Sequence, residues 1–187
     1  MGVSKDAQRG RDAMIYMVEM DMNLGDREAE WHEWYLAHIK KLLTVPGFRA
    51  SQRFRSVLPA PAPYLALHHV DSCAIFDSPE YRSRGGPSST GEWRERHSNW
   101  RRNLLEGLDE TPAVPATAHL LRLENAHDVA PPRGIAVAWT KVVGLDRDAG
   151  EFGLAVIDDP APFLDLARAD QRVRLYRPIS EKLRETA

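Results

Sequence analysis

The spacing of apolar residues changes from segment to segment, and the order of these segments along the chain constrains the fold most strongly. In residues 13–22 every second side chain is apolar, which is the alternation of a β-strand. In residues 27–44 apolar side chains return every three or four positions, as on one face of an amphipathic helix. Residues 49–57 and 64–70 predict two further strands, joined by a proline-rich loop. The chain therefore begins strand, helix, strand, strand.

A second helical region and a closing strand follow within the first 124 residues. Residues 72–84 predict a broken helix with Pro79 in its first turn. Ser89 and Glu92 have the spacing of a capping box, which predicts another helix. The apolar positions of that helix are Trp93, His97, Trp100, Leu104 and Leu108. Residues 117–123 predict the closing strand.

The resulting order β-α-β-β-α-β is typical of the ferredoxin-like α+β fold, an antiparallel sheet with helices on one face. Something must cover the other face, because Ile15 and Met17 point there while Tyr16 and Val18 point to the helices. We therefore predict a homodimer in which two sheets pack face to face as a dimeric α/β barrel.

The C-terminal residues look like a reduced repeat of the same unit. Residues 134–143 resemble the first strand, and residues 152–159 with the helical residues 163–169 resemble the third strand and its helix. Too few residues separate Val143 from Phe152 for a helix, so we expect this repeat to lack its first helix and second strand. The predicted units are a flexible tail (1–12), a ferredoxin-like domain (13–124) and a reduced ferredoxin-like repeat (134–187). The two halves could pair inside one chain, but the second is too small to complete a barrel alone, so pairing within one chain stays open as an alternative to pairing between chains.

Composition argues against several classes of function. The 25 Lys and Arg residues nearly balance 27 Asp and Glu residues, and the cluster Arg94, Arg96, Arg101 and Arg102 is interrupted by glutamates. We interpret that cluster as a solvated helix face rather than a nucleic-acid site. No apolar run approaches the roughly 20 residues that span a bilayer. One cysteine, Cys73, excludes an intramolecular disulfide. These features predict a soluble, cytoplasmic protein without nucleic-acid or membrane partners.

Residues 30–81 carry several short motifs in a characteristic order. They are Glu30, Trp34-Tyr35-x-x-His38-Ile39, Val45-Pro46-Gly47-Phe48, Arg53-Phe54, Tyr64-Leu65-Ala66-Leu67 and Ser78-Pro79-Glu80-Tyr81. In this order and spacing they resemble the EthD-like branch of the dimeric α/β-barrel superfamily. The branch often has an aromatic residue followed by an acid where this chain has His68-His69. The second half of the chain carries no such resemblance.

The resemblance implies a small-molecule pocket without selecting one reaction. The superfamily includes polyketide cyclases, lactone isomerases and haem-dependent oxygenases, so the fold alone admits several chemistries. In its cofactor-free cyclases the ligand lies between sheet and helices, where histidine or tyrosine moves protons. The resemblance therefore implies a substrate pocket beneath the first helix of this chain.

Two histidines are the main candidates for acid–base chemistry, because an imidazole exchanges protons near neutral pH. His38 lies on the apolar stripe of the first helix; a core histidine bonded to a backbone carbonyl or to Glu19 is the alternative. His68 and His69 point to opposite faces of the third strand. We place His68 in the pocket because it shares a face with the small Ala66.

Further candidates complete the predicted site. Tyr35 is the expected hydrogen-bond donor beside the catalytic His38 and His68. The candidate substrate-binding residues are Trp31, Trp34, Tyr16, His97 and Arg53. Core packing is the alternative for His97, and an ion pair with Glu19 or Asp21 is the alternative for Arg53. No HxH, HxxxH or CxxC spacing occurs, so we predict neither a metal nor a cofactor.

The function predicted from these residues is cofactor-independent proton transfer on a small aromatic, lactone or polyketide-like molecule. Cyclisation, isomerisation, elimination and decarboxylation all fit, so the expected enzyme is a lyase, isomerase or cyclase. A haem- or metal-assisted oxygenase of the same fold is one alternative. A non-catalytic ligand-binding or structural barrel is the other.

Overall fold

A computed structural model describes residues 13–85, 87–129 and 134–185. The tail predicted for residues 1–12 lies outside them. The elements of the described residues are β1 (Met14–Met22), α1 (Glu28–Leu42), β2 (Phe48–Ser56), β3 (Tyr64–Val70), α2 (Pro79–Arg84), β4 (His97–Glu106), β5 (His119–Glu124), β6 (Ala138–Leu145), β7 (Glu151–Ile157), α3 (Ala161–Ala169), β8 (Val173–Pro178) and β9 (Leu183–Arg184). Two 3₁₀ segments, Cys73–Asp77 and Pro87–Arg96, flank α2.

The strands close into an antiparallel barrel within one chain. Their order is β3-β1-β4-β6-β7-β5-β8-β2, and β2 pairs again with β3. The short β9 extends the pairing along β2. The order β2-β3-β1-β4 forms a ferredoxin-like half with α1 and α2 outside, and β6-β7-β5-β8 forms the other half with α3 outside. The predicted α+β fold class is confirmed.

Side chains from both halves fill the barrel interior. Ile15 and Met17 of β1 are buried in one cluster with Phe152 and Leu154 of β7 and Tyr176 of β8. The second half of the chain thus covers the sheet face for which the sequence predicted a second copy, so that argument for a homodimer is wrong. The homodimer itself stays a prediction, which light scattering tests against the chain mass of 21.1 kDa.

The helix predicted after Ser89 is wrong. Residues there form the 3₁₀ segment, which is interrupted at Gly91 with φ of 54°, and then strand β4. β4 pairs with β1 and therefore closes the first half of the barrel. That role was predicted for residues 117–123, but β5, which covers most of them, pairs with β7 and β8 in the second half.

The second half has all four of its strands. β6, over residues predicted to resemble the first strand, pairs with β4 on one side and with β7 on the other. The expected loss of the second strand is therefore wrong. A short connection joins β6 directly to β7 as an antiparallel pair, so no helix is needed between Val143 and Phe152.

Helix α1 forms the roof of the first half. Its buried stripe (Trp31, Tyr35, Ile39 and Leu42) packs against the outer face of β1 and β3. The shorter α2 begins where the Ser78 hydroxyl accepts a hydrogen bond from the backbone N–H of Tyr81 at 3.1 Å. Across the described residues, no helix has the length and apolar character needed to cross a membrane.

Candidate functional site

A cavity of about 550 Å³ lies between the outer face of the first-half sheet, α1 and α2. This volume is typical of small-molecule pockets. Most of the predicted site residues line it, namely Tyr16, Tyr35, His38, His68 and His97. The cavity occupies the place beneath the first helix that the sequence predicted for a pocket.

His68 is the most tightly held of these residues. Its side chain is buried on β3, and its Nδ1 atom lies 2.9 Å from the hydroxyl oxygen of Ser51 on β2. The Tyr16 ring stacks on the imidazole with centroids 5.3 Å apart, and Phe48 contacts it edge-on. Burial lowers the pKa of His68 to about 3, and the charge of His38 contributes. The imidazole is therefore neutral at pH 7.

His38 reaches the same cavity from α1. Its ring stacks parallel to that of Trp34, with centroids 5.2 Å apart. Burial lowers the pKa of His38 to about 4, with smaller effects from the charges of Lys41 and His97. The predicted alternative of a bond to Glu19 is wrong, because Glu19 lies inside the barrel and accepts a hydrogen bond from Tyr176.

Three phenols lie beside the histidines. Burial raises the pKa of Tyr35 to about 12. Burial also raises the pKa of Tyr16 well above its usual value, and the charge and the hydroxyl of the neighbouring Tyr81 add to this effect. Tyr81 lines the cavity from α2, and burial raises its pKa as well. All three phenols keep their protons at pH 7. Because the hydroxyls of Tyr16 and Tyr81 interact with each other, Tyr35 is the phenol best placed to donate a hydrogen bond to an oxygen of a ligand.

The remaining predicted residues lie beside the cavity rather than in its lining. Trp31 is fully buried in α1, and the guanidinium of Arg53 lies over its ring at 4.7 Å and over that of Tyr35 at 4.1 Å. Trp34 contacts the cavity through the ring of His38. These aromatic side chains support the pocket wall from behind.

The ion pair predicted for Arg53 is wrong. Arg53 lies on the helix-covered face of β2, whereas Glu19 faces the barrel interior, so the sheet separates them. Its guanidinium instead donates to the Nδ1 atom of His32 at 3.0 Å. Burial lowers the pKa of Arg53 to about 10, so it remains charged at pH 7.

Several lining residues were missed from the sequence. Arg102 and Trp100 of β4, Arg94 of the preceding 3₁₀ segment and Asp146 after β6 surround the mouth of the cavity. Arg102 pairs with Asp146 at 3.2 Å. Trp100, Arg102 and Leu104 occupy alternate positions of a strand and therefore share one face. This signal was hidden because the segment was interpreted as a helix.

No three His, Cys, Asp or Glu side chains converge on a point within the part of the chain that the structure describes. A structural or catalytic zinc ion needs at least three protein ligands. The described residues therefore do not fit a zinc site.

Solved structures share this architecture over nearly the whole chain. An anthrone oxidase-like protein superposes with a TM-score of 0.61 at 11% identity, covering 95% of this chain and 94% of that one. A proposed chlorite dismutase gives 0.56 at 11% identity, covering 90% and 95%. A proposed monooxygenase from Lactobacillus acidophilus gives 0.51 at 8% identity, covering 94% and 98%.

The chain has the dimeric α/β-barrel fold. At such low identities the likeness concerns the fold alone, because one fold carries many reactions. No protein-family model matches the sequence, and no curated protein matches it. The chemistry of this α/β barrel must therefore be argued from its own cavity.

Proposed function

We propose that this α/β barrel is an enzyme that removes a proton from a small aromatic or polyketide-like carbonyl compound. One observation carries the proposal: two neutral imidazoles, His38 and His68, line the same cavity as three protonated phenols. A neutral imidazole accepts a proton, and a phenol O–H stabilises negative charge that develops on an oxygen atom. The cavity therefore combines the two parts that enolisation requires.

The two histidines differ in a way that assigns their roles. The Nδ1 atom of His68 is occupied by Ser51, whereas no hydrogen bond to the ring of His38 is found among the described residues, so we assign His38 as the base. In the proposed step the substrate C–H bond breaks, the proton goes to His38 and the electron pair moves to the carbonyl oxygen. Tyr35 and the neutral N–H of His68 donate hydrogen bonds to that oxygen, and protonated His38 then returns the proton to another carbon atom.

The low pKa of His38 applies to the protein without a charged ligand in the cavity. A carboxylate or an enolate close to an imidazole favours the protonated form and raises its pKa. The developing enolate thus makes His38 a better base as the reaction proceeds. The depressed value in the free protein keeps the imidazole unprotonated and ready at physiological pH.

The enolate admits more than one outcome. Protonation at a different carbon gives an isomerase, attack on a second carbonyl gives a cyclase, and loss of a leaving group gives a lyase. Reaction of the enolate with dioxygen gives an oxidase, a class that the name of the anthrone oxidase-like neighbour supports. The resemblance of residues 30–81 to the EthD-like branch supports the same group of small aromatic substrates.

Anthrone in deuterated buffer tests the proposal directly. Its methylene protons are acidic because their loss gives an aromatic enolate. We expect the protein to accelerate their exchange with solvent deuterium under nitrogen, measured by proton NMR. An oxygen electrode in air then separates oxidase from isomerase chemistry. Absence of accelerated exchange with anthrone and with an enolisable unsaturated lactone would contradict the proposal.

A haem-dependent oxygenase is the second candidate, and the Ser51–His68 contact favours it. Metal-ligating histidines commonly bond a second group through the nitrogen that does not face the metal. In this cavity His68 would hold the haem iron, and Arg94 and Arg102 would hold the haem carboxylates. Haem would supply activation of dioxygen or peroxide. An absorbance scan of the purified protein decides between the candidates, because bound haem gives an intense visible absorption band that the protein alone lacks.

A further inference from the structure

The mouth of the cavity is cationic, whereas its floor is neutral. Arg94 and Arg102 line the mouth together with Asp146, which is the one carboxylate among the described lining residues. The floor consists of neutral histidines and protonated phenols. Because two arginines and one aspartate are charged at pH 7, the mouth has a net charge of about +1. A ligand with a single negative charge would neutralise it.

Arg102 has donors to spare for such a ligand. Its guanidinium has five N–H groups. Among the described residues, its side chain donates one hydrogen bond, to Asp146. Asp146 is also held by the backbone N–H of Arg102 at 2.7 Å, which fixes the carboxylate beside the strand. The charge of Arg102 lowers the pKa of both Tyr16 and Tyr81, so its guanidinium lies close to these two phenols.

Arg94 at the mouth is also available to a ligand. Its side chain is exposed and forms no ion pair within the part of the chain that the structure describes. His97 lies beside it, with its ring nitrogens shielded from solvent next to the backbone of Trp93 and Arg94. The carboxylate of a ligand can therefore pair with Arg94.

We propose that the substrate is an aromatic carboxylate, whose carboxylate binds to Arg102 and Arg94 while its ring extends toward the histidines. The proposal rests on the proposed function in that it takes this cavity as the substrate site. The exposed Trp100 and the ring of Tyr81 provide aromatic surfaces for a planar ring. A carboxylate fits better than a phosphate ester, because Asp146 repels a second negative charge.

Isothermal titration of the purified full chain tests this inference with 1-hydroxy-2-naphthoate and its methyl ester. These probes share one ring system and differ in the charge. We expect the acid to bind at least 10-fold more tightly than the ester, because charge-assisted bonds to arginine are strong. Its affinity should weaken with added salt. Equal binding of both probes, or binding of neither, would overturn the proposal.

Arginine variants test whether the preference for the acid over the ester depends on the mouth of the cavity. Arg102→Gln and Arg94→Gln should each reduce the ratio of acid to ester affinity, and the double variant should bring it close to one. Arg168→Gln is the matched control, because Arg168 pairs with Asp165 on α3 in the other half of the barrel. A preference that survives both cavity substitutions would overturn the proposal. If Arg102→Gln does not fold, Arg94→Gln alone carries the test, since its side chain is exposed.

Two comparisons keep this inference separate from the proposed function. His68→Gln should retain the preference for the acid even where proton exchange is lost, because His68 lies at the floor. 1-Naphthyl phosphate should bind more weakly than 1-naphthoate. Tighter binding of the phosphate would show that the mouth recognises a different anion and would overturn the carboxylate assignment.

Discussion

The Nδ1 atom of His68 lies 2.9 Å from the hydroxyl oxygen of Ser51 on the neighbouring strand. Both side chains are buried, so water does not compete for this hydrogen bond. A hydroxyl can donate to a ring nitrogen or accept from it, so this contact holds the ring in place for either tautomer. Ser51 therefore acts as a positioning residue, which orients His68 without contacting the substrate.

Ser51→Ala should lower both stability and proton transfer. Loss of the hydroxyl leaves a buried ring nitrogen unpaired, which costs about 1 to 3 kcal/mol. The melting temperature should fall by about 2 to 4 °C for each kcal/mol. Nitrogen NMR should show that the signals of the His68 ring nitrogens shift, because Nδ1 loses its hydrogen-bond partner.

Ser56→Ala is the matched control for this variant. Ser56 lies on the same strand and donates its hydroxyl to the carbonyl of Leu58, away from the cavity. It should leave the His68 spectrum and the rate of proton exchange unchanged. An unaltered His68 spectrum in Ser51→Ala would show that the serine does not hold the imidazole.

The buried histidines should make stability depend on pH. The unfolded chain protonates each histidine near pH 6.5, whereas the folded chain does so near pH 4 at His38 and pH 3 at His68. Below pH 6.5 the unfolded state binds more protons, so the free energy of unfolding falls as the pH falls. From pH 7.5 to 5 each histidine should contribute a loss of up to about 2 kcal/mol.

Urea unfolding at pH 7.5 and pH 5 measures this effect. His68→Gln should lose less stability between the two pH values than the wild type, by up to about 2 kcal/mol. The comparison between proteins removes contributions from other histidines, which both share. An identical pH difference in both proteins would mean that His68 is not held neutral by burial.

His38→Gln and Trp31→Ala should separate a pocket residue from a core residue on the same helix. Trp31 is fully buried, so its truncation should cost about 3 to 5 kcal/mol. His38 borders the cavity, and glutamine keeps a polar group there, so the expected cost is below about 1 kcal/mol. Thermal unfolding of both variants checks this order. Equal losses would identify His38 as a core residue.

The first half of the fold could be predicted because each element buries one face in a simple pattern. The bounds of β3 (Tyr64–Val70) agree with the sequence, and α1 differs by a few residues at its ends. β4 could not be predicted in the same way. Leu104 packs under the helices while the adjacent Leu105 packs inside the barrel, and polar residues fill most other positions on both faces. β4 therefore lacks the regular alternation of apolar and polar residues that reveals a strand. The even spacing of Trp100 and Leu104 then fitted a helix as well as a strand.

The site was predicted where strand parity or a helix stripe decided it, as for His68 and His38. Arg102 was missed because its strand was interpreted as a helix with a solvated face. The neighbours of Arg53 depend on how α1 packs over β2, which brings His32 to its guanidinium. Such contacts between distant elements leave no local pattern in a sequence.

The adjacent histidines of β3 provide the sharpest test of the proposed chemistry. His68 lines the cavity, whereas His69 faces the other side of the sheet, where Glu110 and Lys182 act on its pKa. Deuterium exchange of anthrone should fall by about 10²-fold or more in His68→Gln, the usual effect of disturbing a hydrogen-bond donor to a developing oxyanion. His69→Gln should exchange like the wild type. Equal rates in the two variants, whether both retained or both lost, would contradict proton transfer in this cavity.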